Sequence, residues 1–312
     1  MREHEPFQPK AERRDRQVER LLEGLKKMSD RVNREFAPEL TIDLMLPDGT
    51  LNMEAWATKR NNGPFRRTKN GQNPDDRGED TIQHDKAFVR ALELERAHAE
   101  VDDTDISPGV AGEEELLERF RKKRIEGVGF KLEMALTIML HKVIGEEFLV
   151  ARTTNFDNNK HGVDHQIIDR KTGNVVCTFD EVADELDGER HAEKIKKVRD
   201  TARKGGSKVK YGLTFTGSEN NRKLVRQNLK DIPLFTLSLS RPELDSLLQG
   251  MDVDPDAPCT SVELQFFDTL MLALEEQRQM LSREDMPPGV KNNLEAFKAS
   301  FARMRQLGSK VR

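Results

Sequence analysis

Two short apolar segments in the middle of the chain carry acids where a buried strand would normally carry aliphatic side chains. The first, GVDHQII, contains Asp164, and the second, VVCTFDEV, contains Asp180 and Glu181. Two carboxylates buried side by side are unfavourable unless a cation neutralises them. Oxygen ligands of this type suit Mg²⁺ or Mn²⁺. The alternative is that both aspartates begin loops, where water solvates them.

Strand alternation predicts which of these acids meet. Asp164 shares a strand face with Gln166, and Asp180 shares one with Thr178, whereas Glu181 points to the opposite face. If the two strands are neighbours, Asp164 and Asp180 converge near the strand ends. The pattern therefore predicts that these two aspartates bind one divalent cation.

A third acid lies on a predicted helix before these strands. Glu133 falls on the same helical face as Phe130, Leu136 and Leu140, so it sits within the apolar stripe. We expect it to complete the metal site or to orient a metal-bound water. The alternative is a glutamate at the border of the stripe that extends to water.

The segments GVGFKLEMALTIMLHKVIG and HGVDHQII resemble the PD-(D/E)xK nuclease superfamily, particularly its restriction-endonuclease-like members. That family places a Glu on a helix, an Asp on a strand and an acid-x-Lys motif on the next strand. Glu133, Asp164 and Asp180 match these positions, and the resemblance covers residues 113–240, under half of the chain. It implies metal-dependent hydrolysis of phosphodiester bonds in nucleic acid, with DNA favoured over RNA, and Mg²⁺ or Mn²⁺ bound by these three acids.

The lysine of that motif is missing, because Val182 stands two residues after Asp180. We expect Lys194, on a predicted helix at 190–204, to replace it and to stabilise charge on the phosphate. The alternative for Lys194 is an ordinary solvated helix surface. The missing lysine also supports a second function, a catalytically inactive nuclease fold that serves as a binding or assembly module. A third is a structural protein whose terminal helices recruit partners.

Charge is segregated around this region. Residues 180–189 hold six acids and no Lys or Arg, whereas residues 190–210 hold nine Lys or Arg and two acids. An acidic pocket beside a basic ridge suits a metal ion and a phosphate backbone, although two separately solvated faces would give the same pattern. His161 and His165, which flank Asp164, are expected to be polar surface residues.

The hydrophobic patterning predicts an α/β fold with one mixed central sheet flanked by helices, a restriction-endonuclease-like core, preceded by a helix–hairpin module and followed by C-terminal helices. The domain boundaries that we predict are 1–56 for a helix with a β-hairpin, 57–112 for a flexible linker with a helix at 81–100, 113–250 for the core and 251–312 for a helical pair. Within the core we expect a long helix bent at GVG, strands at 148–154, 162–169, 175–182, 208–215 and 233–240, and helices at 190–204 and 219–230.

Composition excludes several other classes. The 312 residues carry a net charge of −4, and the two cysteines form no CxxC pair, which argues against a disulfide scaffold or a zinc finger. No apolar run has the length of a membrane span, and the N-terminus has no apolar signal segment. We therefore expect a cytoplasmic protein that binds no membrane, with a homodimer through the terminal helices as a further expectation.

Overall fold

The computed structural model describes residues 10–36, 42–56, 79–102, 112–184, 188–216 and 223–311. The chain is α/β. Its helices are α1 (Lys10–Phe36), α2 (Glu79–Asp102), α3 (Glu113–Glu126), α4 (Val128–Ile144), α5 (Asn155–His161), α6 (Glu189–Arg203), α7 (Arg241–Gly250), α8 (Ser261–Leu281) and α9 (Pro288–Lys310). Its strands are β1 (Phe148–Arg152), β2 (His165–Asp169), β3 (Val175–Ala183), β4 (Ser207–Thr216), β5 (Lys223–Ile232) and β6 (Leu234–Leu239).

A four-stranded mixed sheet in the order β1-β2-β3-β6 positions the candidate site. The first three strands are an antiparallel meander, and the chain returns through α6, β4 and β5 so that β6 pairs parallel to β3. The strands are buried along almost their whole length, as expected of a sheet with helices packed against it. Helix α4 is apolar nearly all round and is buried among α1, α8, α9 and the sheet.

The prediction of one mixed sheet was wrong, because β4 and β5 form a separate two-stranded antiparallel sheet. The helix predicted at 219–230 was also wrong, since this stretch contains most of β5. Leu229 and Ile232 are three residues apart, a helical spacing, yet both are buried in a strand. The register shifts between Ser207 and Val209, opposite these two residues. A bulge of this kind places residues of irregular spacing on one face, so the end of β5 lacks the strict alternation by which a strand is recognised.

The hairpin predicted at 42–55 is present only as a turn. Met45 and Leu51 form a single antiparallel bridge, and a 3₁₀-helix follows at Met53–Trp56 where a second strand was expected. The main-chain N–H of Leu51 donates to the carbonyl oxygen of Arg152 at 3.0 Å, so this arm turns towards the edge of β1. The turn itself needs Gly49, which has a φ of +81°.

The N-terminal and C-terminal helices share one hydrophobic core with the sheet. Leu21, Leu25 and Met28 of α1 pack in the same cluster as α4 and the strands. Along α9, the predicted apolar face is buried within the chain, which accounts for this face without a second copy. Its buried side chains are Val290, Leu294, Phe297, Phe301, Met304 and Leu307.

Several predicted boundaries agree with the structure and two helices were missed. The helix predicted at 81–100 corresponds to α2, and the bend at GVG is a break between α3 and α4 at Gly127. Helices α5 and α7 were not predicted. Of the linker predicted at 57–112, residues 57–78 and 103–111 lie outside the described residues.

None of the described helices combines the length and apolar content that a membrane crossing requires.

Candidate functional site

Asp164 lies immediately before β2, where the pairing between β2 and β3 ends. The last pair of this ladder is His165 with Phe179, and the main-chain N–H of Asp164 donates to the carbonyl oxygen of Phe179 at 2.8 Å. Asp164 is therefore held beside the segment that carries Asp180 and Glu181. Asp164 and Asp180 are only 8% and 3% exposed, so neither is the solvated loop residue of the alternative interpretation.

The carboxyl group of Asp164 is fixed by two donors. The side-chain amide of Asn158, in the middle of the short helix α5, donates to Oδ1 at 2.6 Å, and the main-chain N–H of Glu181 donates to Oδ2 at 2.8 Å. The pKa of Asp164 is nevertheless raised well above its ordinary value, first because burial disfavours the charged form and then because Glu133, Glu181 and Asp180 lie nearby. The repulsion from Glu133 and Glu181 exceeds that from Asp180.

Glu181 therefore belongs to the site, although strand alternation assigned it no role. Its Oε1 lies 2.6 Å from Nδ1 of His165, and Nε2 of His165 lies 2.6 Å from Oγ1 of Thr137 on α4. His165 is fully buried, so the expectation of a surface histidine was wrong. Thr137 is a polar residue on the apolar helix α4, and it faces His165. The histidine can therefore be buried with both ring nitrogens hydrogen-bonded.

The donors and acceptors of Thr137, His165 and Glu181 indicate where a proton lies among these residues. Oγ1 of Thr137 donates its one hydrogen to the main-chain oxygen of Glu133 at 2.6 Å, so towards His165 it can only accept. Nε2 of His165 must then carry a hydrogen. Burial, and next the nearby Arg152, lower the pKa of His165 to about 4, so the ring is neutral and its Nδ1 is an acceptor. The lowered pKa of His165 and the raised pKa of Glu181 both favour a carboxylic acid that donates to Nδ1 of a neutral ring.

The electrostatics of Glu181 agree with this assignment. Its pKa is raised to about 8, mainly because burial disfavours the carboxylate. The interaction with the Asp164 carboxyl opposes this rise, and the charges of Glu133 and Asp180 add to it. Its second oxygen, Oε2, is buried and has no hydrogen-bond partner. An unpartnered oxygen costs less on a neutral acid than on a carboxylate.

Glu133 forms a buried ion pair with Arg152, the last residue of β1. Nη2 of Arg152 donates to Oε2 of Glu133 at 2.6 Å, and Nη1 donates to the main-chain oxygen of Asp48 at 2.9 Å. The guanidinium also stacks 4.3 Å from the centre of the Phe130 ring. Glu133 is thus part of the acidic cluster, as predicted, but it is also held by a cation that strand patterning did not identify.

Asp180 is held by two lysines of α6. Lys194 donates to Oδ1 and Lys197 donates to Oδ2, and Lys197 also donates to the main-chain oxygen of Gly162 at 2.9 Å. The placement of Lys194 beside Asp180 is the one predicted. Lys197 joins Lys194 at Asp180 because residues three apart on a helix lie on the same side. Both lysine side chains remain partly exposed, at 28% and 37%.

The charges of the site are close to balance. Four carboxyl groups lie near three cationic side chains. The carboxyl groups belong to Glu133, Asp164, Asp180 and Glu181, and the cations to Arg152, Lys194 and Lys197. One proton, on Asp164 or Glu181, brings the balance to zero, and burial raises the pKa of both groups. In this state the site is neutral without a metal ion.

The residue types fit a hard divalent cation, although their present arrangement does not form a site. Across the described part of the chain, no three His, Cys, Asp or Glu side chains are placed to hold a metal ion together. Both oxygens of Asp180 are occupied by ammonium groups, whereas Oε2 of Glu181 is unpartnered beside Asp164. Carboxylate oxygens are the donors that Mg²⁺ and Mn²⁺ prefer. The binding of such an ion would require Asp180 to exchange its lysine contacts and Glu181 to lose its proton.

Comparisons with protein-family models, with curated proteins and with solved structures found no match for this chain.

Proposed function

We propose that the chain is a divergent PD-(D/E)xK-like nuclease that hydrolyses phosphodiester bonds of nucleic acid, with DNA favoured over RNA, in a metal-dependent reaction. The observation that carries this proposal is the meeting of four carboxyl groups, from α4, from the residue before β2 and from β3, with a lysine from α6. Three of these acids occupy the positions that the resemblance implies. Buried acids in such a group are costly in a protein that needs only a stable fold.

In this proposal Asp164 and Asp180 hold Mg²⁺ or Mn²⁺, and Glu133 completes the set or orients water. The unpartnered oxygen of Glu181 makes it an additional candidate ligand. A bound divalent ion lowers the pKa of its water and offsets negative charge on a phosphate. The chain's own contribution is to hold these oxygens in a fixed group, which Asn158 and the main chain of Glu181 do for Asp164.

Lys194 takes the role of the missing strand lysine. It contacts Asp180 and is partly exposed, so its ammonium group can reach a phosphate oxygen at the mouth of the site. Lys197 is available for the same purpose on the next turn. The exposed Arg190 and Lys196 extend this basic surface along α6 and suit a nucleic-acid backbone.

A specific observation favours the second candidate function, a catalytically inactive nuclease fold that binds nucleic acid or assembles with a partner. The two lysines neutralise the charge of Asp180, as a bound metal ion would. In that case the acid group is a remnant whose charges are satisfied internally, and only the basic surface of α6 retains a function.

The experiment that tests the proposal is cleavage of supercoiled plasmid DNA and of single-stranded RNA with Mg²⁺ or Mn²⁺. We expect cleavage by the wild type and none by Asp164→Asn or Asp180→Asn. Lys194→Ala should slow cleavage by about 10²-fold, the usual loss when one charge-stabilising donor is removed. The exposed Lys298→Ala on α9 is a matched control and should cleave at the wild-type rate.

Binding without cleavage would select the inactive module. In that outcome the wild type retains DNA in a mobility-shift assay, Lys196→Glu and Arg190→Glu weaken retention, and Asp164→Asn has no effect. Absence of both cleavage and metal binding by calorimetry would refute the metal site itself, whatever the protein binds.

A further inference from the structure

Strand β6 is the edge of the four-stranded sheet, and its outer side is only partly covered. In a parallel ladder, alternate residues direct both main-chain groups to the same neighbour. The N–H of Thr178 on β3 donates to the carbonyl oxygen of Pro233 at 3.0 Å, which assigns Phe235, Leu237 and Leu239 to the β3 side. The main-chain groups of Thr236 and Ser238 therefore point to the free edge.

Side chains already close this edge at two places. The amide of Gln277 on α8 accepts from the N–H of Thr236 at 2.9 Å and donates to its carbonyl oxygen at 2.8 Å, as a paired strand would. Two residues beyond Ser238, the N–H of Ser240 donates to Oε2 of Glu243 at 2.7 Å. Within the described chain, no group bonds the main-chain N–H or C=O of Ser238 in between.

A pocket of about 220 Å³ opens at this unpaired residue, between α6, β6 and α8. Its apolar lining includes Ile195 and Phe266, which are only half-buried, together with Leu270 and Ala273. At the rim, Leu272 is 63% exposed, one of two large apolar side chains that are exposed among the described residues. The volume accommodates one large side chain, since an apolar cavity of about 150 Å³ already holds a benzene ring.

The titratable groups around the pocket favour a positively charged neighbour. Two carboxylates, Glu243 and Glu276, line it together with His191, and no Lys or Arg does. Nδ1 of His191 is engaged by the hydroxyl of Ser238 at 2.5 Å. Glu276 is exposed and forms no ion pair with any described residue.

We propose that this pocket binds a short extended segment of a partner protein. One apolar side chain of the segment fills the pocket, the main-chain N–H and C=O of the same residue pair with Ser238, and a Lys or Arg two residues away meets Glu276. A peptide is the occupant that matches all three features, because the neighbouring Thr236 already accepts an amide in the same geometry. This mode of recognition adds a strand to a sheet edge over a single residue, since Gln277 and Glu243 block extension on both sides. It is independent of the nuclease proposal.

The probe for this site is the amidated pentapeptide Lys-Thr-Leu-Thr-Lys with an N-terminal fluorescein, titrated with the full-length protein and followed by fluorescence polarisation. We expect saturable binding that weakens about tenfold when the central leucine is replaced by serine, the usual loss for an apolar anchor. N-methylation of that leucine removes the donor to Ser238 and should weaken binding about fivefold, the worth of one hydrogen bond.

Protein variants test the same contacts from the other side. Ala273→Trp fills the pocket from its open side and should weaken binding at least about tenfold. Glu276→Gln should weaken it about threefold, as expected for an exposed ion pair, whereas the control Glu295→Gln on α9 should leave it unchanged. Circular dichroism and thermal melting establish that each variant is folded. If Ala273→Trp does not fold, Glu276→Gln still tests the site.

Several results would overturn the proposal. One is the absence of saturable binding by the folded wild type up to about 2 mM peptide, near the weakest affinity that counts as specific. Another is equal binding of the N-methylated peptide, or of isobutylamine, which would indicate a pocket for small organic cations. Self-association in sedimentation equilibrium that disappears in Ala273→Trp would assign the pocket to a second copy of this chain instead.

Discussion

Replacement of Glu181 by glutamine isolates the proton that the hydrogen-bond pattern places in the site. A glutamine amide can donate to Nδ1 of His165 as the protonated acid does, and it never ionises. Glu181→Gln should therefore preserve the contact with His165 while it removes the cost of a buried carboxylate at high pH. The expected result is a variant that is similar to the wild type near pH 5 and more stable than the wild type near pH 8.

The sign and size of the effect follow from the pKa of Glu181, which is about 8 in the folded chain against an ordinary value of 4.5. Because the folded value is raised, the stabilisation is complete below the unfolded value of 4.5 and is lost as the pH rises through about 8. Between about pH 5 and pH 8, linkage gives a loss of about 3 kcal/mol in the wild type. His165 acts in the opposite direction. Its lowered pKa gives stability that is present above 6.5 and lost as the pH falls through about 4.

The measurement is urea unfolding of wild type and variant at several pH values from about 5 to 8, in buffer with EDTA. The difference in unfolding free energy between the two proteins removes the contributions of groups distant from Glu181, whereas His165 and Asp164, which interact with Glu181, contribute through that coupling. This difference should grow by about 3 kcal/mol across the range. Glu295→Gln, an exposed change on α9, should show a difference that is constant with pH. A constant difference for Glu181→Gln as well would refute a protonated Glu181.

Two further substitutions test the cations of the site. Lys197→Met removes one of the two ammonium groups that contact Asp180. We expect Mn²⁺ to bind about tenfold more tightly by calorimetry, because each competing contact is worth about 1–2 kcal/mol. An unchanged Mn²⁺ affinity would mean that Lys197 does not compete with the metal ion. Arg152→Met leaves Glu133 buried without its partner and should lower the free energy of urea unfolding by about 3–5 kcal/mol. The double variant Arg152→Met with Glu133→Gln should recover most of the lost free energy of unfolding. If it does not, the loss comes from the stacking of Arg152 on Phe130.

The sequence was sufficient to identify acids whose positions are unusual and to place most of the helices and strands around them. Asp164 and Asp180 stood out because a carboxylate in an apolar strand has few explanations, and helical periodicity put Lys194 on a helix that follows. These are local signals, readable from residues that are near one another in the chain. The strands of the central sheet were found for the same reason, since alternation and turn residues act over short distances.

Only the tertiary structure decided which side chains complete the site. Arg152, His165 and Glu181 gain their roles from partners on other elements. Those partners cannot be predicted from the spacing of the three residues or from their neighbours in the chain. The proton assigned to Glu181 of β3 depends on Thr137 of α4, whose one hydrogen is donated to a main-chain oxygen. The separate sheet of β4 and β5 likewise arises from pairing that overrides a helical spacing. Burial and long-range pairing set these outcomes, because the energy of a charge or a strand depends on what surrounds it after folding.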